Sequence, residues 1–309
     1  MLMKNVFGGI FFLSLVTSGL AGCIIQNTHD ASETTSALAN MDGILLPPGS
    51  HPKAQCGIPG VISYQPSPAE IERDNIYQLA TYGVVYKDWQ TTTWGANPPA
   101  RGYNIGSILV DTSKNLGEQI VCWARNSVIT TGNGTQHGEV RLMTNYLSNA
   151  KVSSLKDRST HSFKLYSTLE PCSMCGGMMT LQSLHTTLYG QTDPDYGDGI
   201  QRLEVDTHPA GGFCPYPRGV YSNASNLPIR QQIDTAYAAW QTQGNRGLTI
   251  WLTTPEAKEL YQQAISQLSS WQVAYTENQI VKDKALDYLS NTVPTKYTVL
   301  PYTVGCTGN

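Results

Sequence analysis

Four residues in two short runs have the types and the spacing that a catalytic metal site requires. His137 and Glu139 are separated by one residue, and Cys172 and Cys175 form a C-x-x-C pair further along the chain. Zinc binds imidazole nitrogen and thiolate sulfur, and its catalytic sites commonly use three protein ligands and leave a fourth position for water. One His and two Cys supply that number. We therefore predict a Zn²⁺ site with His137, Cys172 and Cys175 as ligands.

Glu139 has the chemistry of a proton carrier for such a site. Because it lies two residues after the predicted ligand His137, its carboxylate can reach the space beside the metal without binding the metal. A carboxylate in that position takes a proton from water and passes it to the substrate. We predict that Glu139 is the catalytic residue.

The neighbouring sequence predicts the elements that position these side chains. Residues 163–168 read as a strand that leads into the Cys pair, and the Cys pair opens a helix. A helix N-terminus favours the negative charge of thiolates. His137 follows a Gly-rich loop and opens a helix of its own, in which apolar residues recur at helical spacing.

Two alternatives remain for the same residues. Cys172 and Cys175 can form a disulfide, or the zinc can be closed by a fourth protein ligand and serve only structure or binding. His161 and His185 are the candidates for that fourth ligand. A purely structural zinc has no need of Glu139, and this favours the catalytic interpretation.

The combined pattern H-x-E and P-C-x-x-C resembles the signature of the cytidine-deaminase-like superfamily of zinc-dependent deaminases. The resemblance covers about residues 65–200. Within it, residues 166–175 and 189–194 look most like the branch that holds tRNA adenosine, guanine and yeast-type cytosine deaminases. This resemblance implies a Zn²⁺-dependent hydrolase that deaminates a nucleobase, nucleoside or nucleotide and releases ammonia.

The resemblance also implies substrate contacts and an assembly. Asn126 stands where the family has an Asn that hydrogen-bonds the substrate, and Glu170 lies at the turn whose backbone usually holds the base. The family usually has Ala between the His and the Glu, whereas this chain has Gly138, which we include among the substrate-binding candidates. Family members are often dimers, so a homodimer is a possible state.

Around the site, the order strand, strand, helix, strand, helix, strand predicts an α/β fold. We expect a three-layer sandwich of a mixed sheet with helices on both faces, formed by residues 65–200. Residues 201–309 are expected to be a mainly helical C-terminal extension packed on this core. The first helix of the core is predicted at 68–82. In the extension we predict helices at 229–240, 255–271 and 277–289 and a strand at 248–252.

The N-terminus has the features of an export signal. Lys4 precedes a short apolar stretch, and residues 20–23 resemble a bacterial lipobox that ends in Cys23. We predict a signal peptide at 1–22, a lipid on Cys23 as the only attachment to a membrane, and a tether or irregular extension over 23–64. The expected location is the bacterial periplasm or cell envelope.

Composition limits the partners. The chain has 309 residues, a formal net charge of −3 and no Lys/Arg-rich run. Proteins that bind nucleic acid usually carry a basic face, so a small base, nucleoside or nucleotide is the favoured substrate. The alternatives are an exported toxin-like deaminase that acts on a macromolecule such as nucleic acid, and a non-catalytic zinc-binding module with the same fold.

The remaining cysteines are four in number: Cys56, Cys122, Cys214 and Cys306. In an exported chain they allow up to two disulfides with three possible pairings. The sequence does not choose among these pairings, and a free buried thiol is an alternative for Cys122.

Overall fold

A computed structural model describes most of the chain beyond residue 64. The described residues are 65–92, 100–148, 163–182, 184, 186–203, 221–245, 247–295 and 304–306. The predicted signal peptide, Cys23 and the tether lie outside this part of the chain and stay predictions. None of the described helices is long and apolar enough to cross a membrane.

The first helix, α1 (Pro68–Tyr86), extends one turn beyond its predicted end. It begins with a complete capping box, in which the Ser67 side chain accepts from the Glu70 N–H and the Glu70 side chain accepts from the Ser67 N–H. Pro68 occupies the first turn, where a missing N–H costs nothing. From Ile76 onward most of the helix is buried.

Within the described residues, the central sheet has six strands in the order β5-β4-β3-β1-β2-β6. The strands are β1 (Gly106–Asp111), β2 (Ile120–Arg125), β3 (Phe163–Ser167), β4 (Thr186–Tyr189), β5 (Tyr221–Ala224) and β6 (Val304–Cys306). β1 pairs antiparallel with β2 and β3, β2 pairs antiparallel with β6, and β4 runs parallel to both β3 and β5. The predicted mixed sheet is therefore confirmed.

Side chains of the central strands alternate between two apolar layers. Ile108 and Val110 of β1 belong to the core that includes α1, whereas Leu109 points into the opposite core. The helices of that opposite side are α3 (Gly138–Leu147) and α4 (Ser173–Leu181); the short α2 (Val128–Thr131) precedes α3. Because both faces are covered, every residue of β1 and β2 is buried.

The C-terminal region is mainly helical, as predicted. After α5 (Gly199–Arg202), its helices are α6 (Pro228–Thr242), α7 (Leu248–Trp251), α8 (Pro255–Ser270), a 3₁₀ turn at Thr276–Asn278 and α9 (Gln279–Asn291). The α8 start follows the sequence closely, because Thr254 accepts from the Ala257 N–H and Pro255 occupies the first turn. The helices α8 and α9 contact α1.

One secondary-structure prediction for this region was wrong. Residues 248–252, predicted as a strand, form the one-turn helix α7, and Trp251 and Leu252 are fully buried against the α1 side of the core. A short apolar run does not by itself distinguish a strand from a buried helical turn. Gly247 enters this turn at a φ of 90°, a conformation that side chains other than Gly rarely adopt.

A disulfide joins Cys122 of β2 to Cys306 of β6. The two cysteines face each other in the strand register. This settles one of the open pairings and removes the free-thiol alternative for Cys122. Cys56 and Cys214 lie outside the described residues.

Candidate functional site

The three predicted ligands converge at the N-termini of two helices. His137 is the N-cap of α3, Cys172 is the N-cap of α4, and Cys175 lies in the first turn of α4. His137 Nδ1 is 3.8 Å from Cys172 Sγ and 3.5 Å from Cys175 Sγ, and the two sulfurs are 3.8 Å apart. No other His, Cys, Asp or Glu of the described residues joins this cluster.

These separations fit a tetrahedral zinc ion. With Zn–S of about 2.3 Å and Zn–N of about 2.0–2.1 Å, a tetrahedron places two sulfurs about 3.8 Å apart and a sulfur and a nitrogen about 3.6 Å apart. The donor set of one imidazole and two thiols is also one that zinc accepts. His137, Cys172 and Cys175 would therefore hold the ion without rearrangement. The predicted alternative ligands His161 and His185 lie outside the described residues.

The surroundings of the two thiols shift their pKa values in opposite directions. A hydrogen bond shared with Cys175 lowers the pKa of Cys172 to about 4 against the opposing effect of burial, and His137 contributes in the same direction. The same shared hydrogen bond and burial raise the pKa of Cys175. In the metal-free protein, Cys172 is therefore the thiol that loses its proton first as the pH rises.

Glu139 lies beside this cluster in the first turn of α3 and is 3% exposed. Its Oε1 accepts a hydrogen bond from Ser167 Oγ at 3.1 Å. Its Oε2 has no hydrogen-bond partner among the described residues. Burial raises the pKa of this carboxyl. One oxygen is therefore fixed to the sheet, and the other is available to a ligand.

A pocket of about 600 Å³ contains His137, Glu139 and Cys172 in its lining. Its walls come from five further places in the chain. These are the β1 approach at Tyr103 and Ile105, the α2 region at Val128, Gly132 and Gly134, the turn after β3 at Leu169, the turn after β4 at Asp193, Asp195 and Tyr196, and the α7 start at Gly247, Leu248 and Thr249. The volume is in the range of small-molecule sites.

Asn126 lies directly behind this wall and is fully buried. Its Oδ1 accepts from the Tyr103 N–H at 3.1 Å and the Val128 N–H at 3.3 Å, and both of those residues line the pocket. Its Nδ2 has no partner among the described residues. A buried amide donor without a partner is costly, so the structure leaves this group available. The predicted substrate contact of Asn126 stays a prediction.

The carboxylate of Glu170 is occupied within the protein. Oε2 accepts from the Asp193 N–H and Oε1 from the Asp198 N–H, each at 3.1 Å. Gly197 closes the turn so tightly that a Cβ there would lie 2.4 Å from Glu170 Oε2. These contacts make Glu170 the organiser of the turn that forms one pocket wall. It does not itself line the pocket, and its predicted substrate contact stays a prediction.

Gly138 faces the sheet and does not line the pocket. A Cβ at this position would lie 3.2 Å from the Ala124 carbonyl oxygen and 3.3 Å from Ser107 Oγ. The close approach of α3 to β1 and β2 therefore accounts for Gly138 in structural terms. Its predicted role with the substrate stays a prediction.

Sequence reasoning missed two of the pocket walls. Asp193, Asp195 and Tyr196 were within or next to the stretch that resembles the deaminase branch, but nothing in their spacing showed that they face the site. Residues 247–249 reach the pocket from the C-terminal region. The only sequence signal there was the general expectation that the extension packs on the core.

Comparisons with known proteins agree with this geometry. Residues 87–191 match the family model for the cytidine and deoxycytidylate deaminase zinc-binding region. The tRNA-specific adenosine deaminase 2 of Xenopus laevis is 35% identical over 97 residues, which cover 30% of this chain and 54% of that protein. A tRNA-specific adenosine deaminase of Rickettsia felis is 25% identical over 118 residues, which cover 38% of this chain and 74% of that protein.

The likeness to solved structures is weaker. A guanine deaminase from Bacillus subtilis is 18% identical, with a TM-score of 0.29 and coverage of 56% of this chain and 96% of that one. The chain spans about half the length of the Xenopus relative. Residues 87–191 therefore match the zinc-binding region of cytidine and deoxycytidylate deaminases, and this part of the chain is similar to tRNA adenosine deaminases of the cytidine-deaminase-like superfamily.

Proposed function

We propose that this protein is a zinc-dependent hydrolytic deaminase that replaces the amino group of a nucleobase with oxygen and releases ammonia. The observation that carries the proposal is the free Oε2 of Glu139 next to a three-donor cluster in the lining of a pocket. A structural metal site has no use for a buried carboxylate oxygen without a partner. When bound, zinc supplies Lewis-acid activation that makes water a nucleophile near neutral pH.

The chain's own groups move the protons. Oε2 of Glu139 accepts a proton from the attacking water and delivers it to the ring nitrogen next to the amino-bearing carbon. A later proton passes through the same oxygen to the departing amino group, so that water and the amidine become a carbonyl and ammonia. Ser167 holds Oε1 throughout, which keeps the carboxylate from rotating away. The raised pKa of Glu139 suits a group that must both accept and donate.

The pocket walls orient the base. We propose that the free Nδ2 of Asn126 donates to an acceptor of the substrate once the base is bound. Val128 and Leu169 are buried apolar side chains of the wall and limit the access of water to the reacting carbon. Substrate binding would thus supply the partners that Asn126 and Glu139 lack.

A tRNA is the second candidate substrate, because the curated relatives are named for tRNA. Tyr196 at the pocket mouth is 67% exposed and leaves room for a larger ligand. The non-catalytic module predicts a fourth protein ligand, and the described residues contain none in the cluster.

Ammonia release from a panel of bases, nucleosides, nucleotides and a tRNA tests the proposal. The protein is loaded with zinc, and Glu139→Ala is compared with Glu259→Ala, an exposed carboxylate on α8. We expect release that disappears only with Glu139→Ala. If a protein with one bound zinc per chain released no ammonia from any of these substrates, the result would contradict the proposal that it deaminates them.

We also propose that the protein works in an oxidising compartment outside the cytosol. The support is the Cys122–Cys306 disulfide together with the signal-like N-terminal sequence, since disulfides persist mainly in such compartments. Fractionation of cells that make the full chain tests this proposal. A reduced protein found only in the cytosol would contradict it.

A further inference from the structure

The charged side chains of the pocket wall are acidic. Apart from His137 and the tyrosines Tyr103 and Tyr196, the titratable side chains that line the pocket are Glu139, Cys172, Asp193 and Asp195. No Lys or Arg of the described residues lines it. The wall therefore offers carboxylates to whatever part of a ligand lies beyond the base.

The turn that carries two of these carboxylates is held rigidly. Asp193 Oδ1 accepts from the N–H groups of Asp195 and Tyr196, each at 3.0 Å. Glu170 holds the same turn from the other side by accepting from the Asp193 and Asp198 N–H groups. The backbone of this turn is therefore held in place, with the buried Asp193 carboxylate fixed inside it and the exposed Asp195 side chain on its outer side.

None of the nearby arginines of the described residues lines the pocket, although Arg202 lies next to Asp195 and offsets part of its charge. Arg202 Nη2 donates to the backbone carbonyl of Asp195 at 3.3 Å, and not to its carboxylate. Arg141 donates to Gln136, and Arg230 is paired with Asp234 at 2.6 Å. Arg246 precedes the wall residue Gly247 in the sequence and lies outside the described residues.

The rest of the wall suits an uncharged ligand. Leu169, Val128 and Leu248 are buried apolar side chains, and Tyr103 and Thr249 add groups able to hydrogen-bond. Two buried polar atoms have no hydrogen-bond partner among the described residues. They are Oε2 of the lining residue Glu139 and Nδ2 of Asn126, which lies behind the pocket wall. A nucleobase with or without a sugar can satisfy such groups without adding charge.

We infer that the substrate is a free base or a nucleoside without phosphate, and that Asp195 contributes to this choice by repelling phosphate at the pocket mouth. This inference rests on the proposed deaminase function. Like charges within a Debye length of about 8 Å at physiological ionic strength repel each other appreciably. A phosphate on the sugar of a bound nucleoside would enter the region lined by Asp193 and Asp195.

The test compares cytosine, adenine and guanine with their nucleosides and 5′-monophosphates as substrates of the zinc-loaded full chain. We expect kcat/KM for the best nucleoside or base to exceed that for its monophosphate by roughly tenfold or more at low salt. Asp195→Lys should lower this ratio of kcat/KM values by about three- to tenfold, because it removes the repulsion between Asp195 and the phosphate. Added salt should lower the ratio in the wild type, because it screens the same repulsion. Glu259→Lys on α8, whose residues do not line the pocket, should leave the ratio unchanged.

Binding provides a readout that does not depend on turnover. Calorimetry with Glu139→Ala should show the nucleoside binding more tightly than its monophosphate, with the same response to Asp195→Lys. Preference for the monophosphate, lost in Arg246→Gln, would overturn the inference and assign a phosphate contact to Arg246. Faster deamination of a tRNA than of any nucleoside would also overturn it while leaving the deaminase proposal intact. Absence of both turnover and binding would overturn the proposed function itself.

Discussion

Ser167 Oγ donates to Glu139 Oε1 across 3.1 Å in the interior of the protein, at the end of the third strand. Ser167 lies opposite Ser107 of β1 and Tyr189 of β4 in the strand register, so three strands fix its position. The orientation of the Glu139 carboxylate therefore depends on the sheet as well as on its own helix.

Removing this hydroxyl should impair the chemical step more than binding. In Ser167→Ala, Oε1 loses its donor and the carboxylate can rotate, so we expect kcat to fall roughly three- to tenfold with little change in KM. Steady-state kinetics with the best substrate of the panel measures this effect. Ser266→Ala on the exposed face of α8 is the matched control. An unchanged kcat would remove Ser167 from the positioning of Glu139.

Asn126 permits a substitution that separates its two roles. Asn126→Asp retains an oxygen for the N–H groups of Tyr103 and Val128 and removes the free donor. If that donor binds the substrate, KM should rise by about five- to thirtyfold, since one lost hydrogen bond costs roughly 1–2 kcal/mol. Thermal unfolding of the variant shows whether the wall is intact. A normal KM in a folded variant would exclude the contact.

Metal content tests the ligand set directly. The wild type should bind one zinc per chain, and Cys172→Ser should lose most of it, because a hydroxyl replaces one of three donors. Elemental analysis after dialysis gives the stoichiometry. Glu139→Gln should retain the metal, since Glu139 is not part of the donor cluster. Full zinc retention in Cys172→Ser would place the metal elsewhere.

The disulfide should stabilise the fold strongly. It closes a loop across a sequence separation of 184 residues, and loss of a native disulfide typically costs about 2–5 kcal/mol. We expect Cys306→Ala to lower the free energy of unfolding in urea by this amount. Cys122→Ala should cost at least as much, and the double variant should add little, because either single change already breaks the bond. Additive effects would mean that the cysteines act separately.

Glu72 links α1 to the C-terminal region and makes that contact sensitive to acid. Burial alone would raise its pKa, but hydrogen bonds from the Ala274 and Tyr275 N–H groups and from Asn278 lower the pKa of this carboxyl. A lowered pKa in the folded state contributes stability that is present above the unfolded pKa of about 4.3 and is lost as the pH falls further.

Glu72→Gln should therefore lower the free energy of unfolding at neutral pH by roughly 1–3 kcal/mol. Because the variant has no carboxyl to protonate at this position, its free energy of unfolding should fall less than that of the wild type as the pH drops below about 5. Urea unfolding at a series of pH values provides the measurement. Glu259→Gln is the control for an exposed carboxylate. Parallel pH profiles for Glu72→Gln and the wild type would contradict this account.

Local patterns predicted much of the fold. The predicted helix starts at residues 68 and 255 are those of α1 and α8, which Ser67 and Thr254 cap, and the ligand motif predicted the cluster, because these signals depend on residues close together in the sequence. Both β5 and β6 were missed, since strands of three or four residues without clear alternation have no local signal. The pairing of Cys122 with Cys306 follows from the β2–β6 register, a contact between distant segments.

The pocket residues also divide into those that local spacing predicts and those that only tertiary packing brings to the site. His137 and Glu139 could be named from their spacing, whereas Asp195 and Thr249 become wall residues only through tertiary packing. Residues 248–252 were assigned to a strand because their apolar run fits either structure. Burial of Trp251 within the α1 side of the core favours the helical turn instead.

The position of the last strand has a consequence for how the molecule is assembled on the ribosome. A nascent chain that has emerged as far as Arg202 already contains the three predicted zinc ligands, Glu139 and four of the six described strands. The pocket wall at 247–249 and the described strand β6, which pairs with β2, emerge only afterwards. The proposed reactive centre is therefore synthesised before part of its pocket wall, and the disulfide at Cys306 can form only after both.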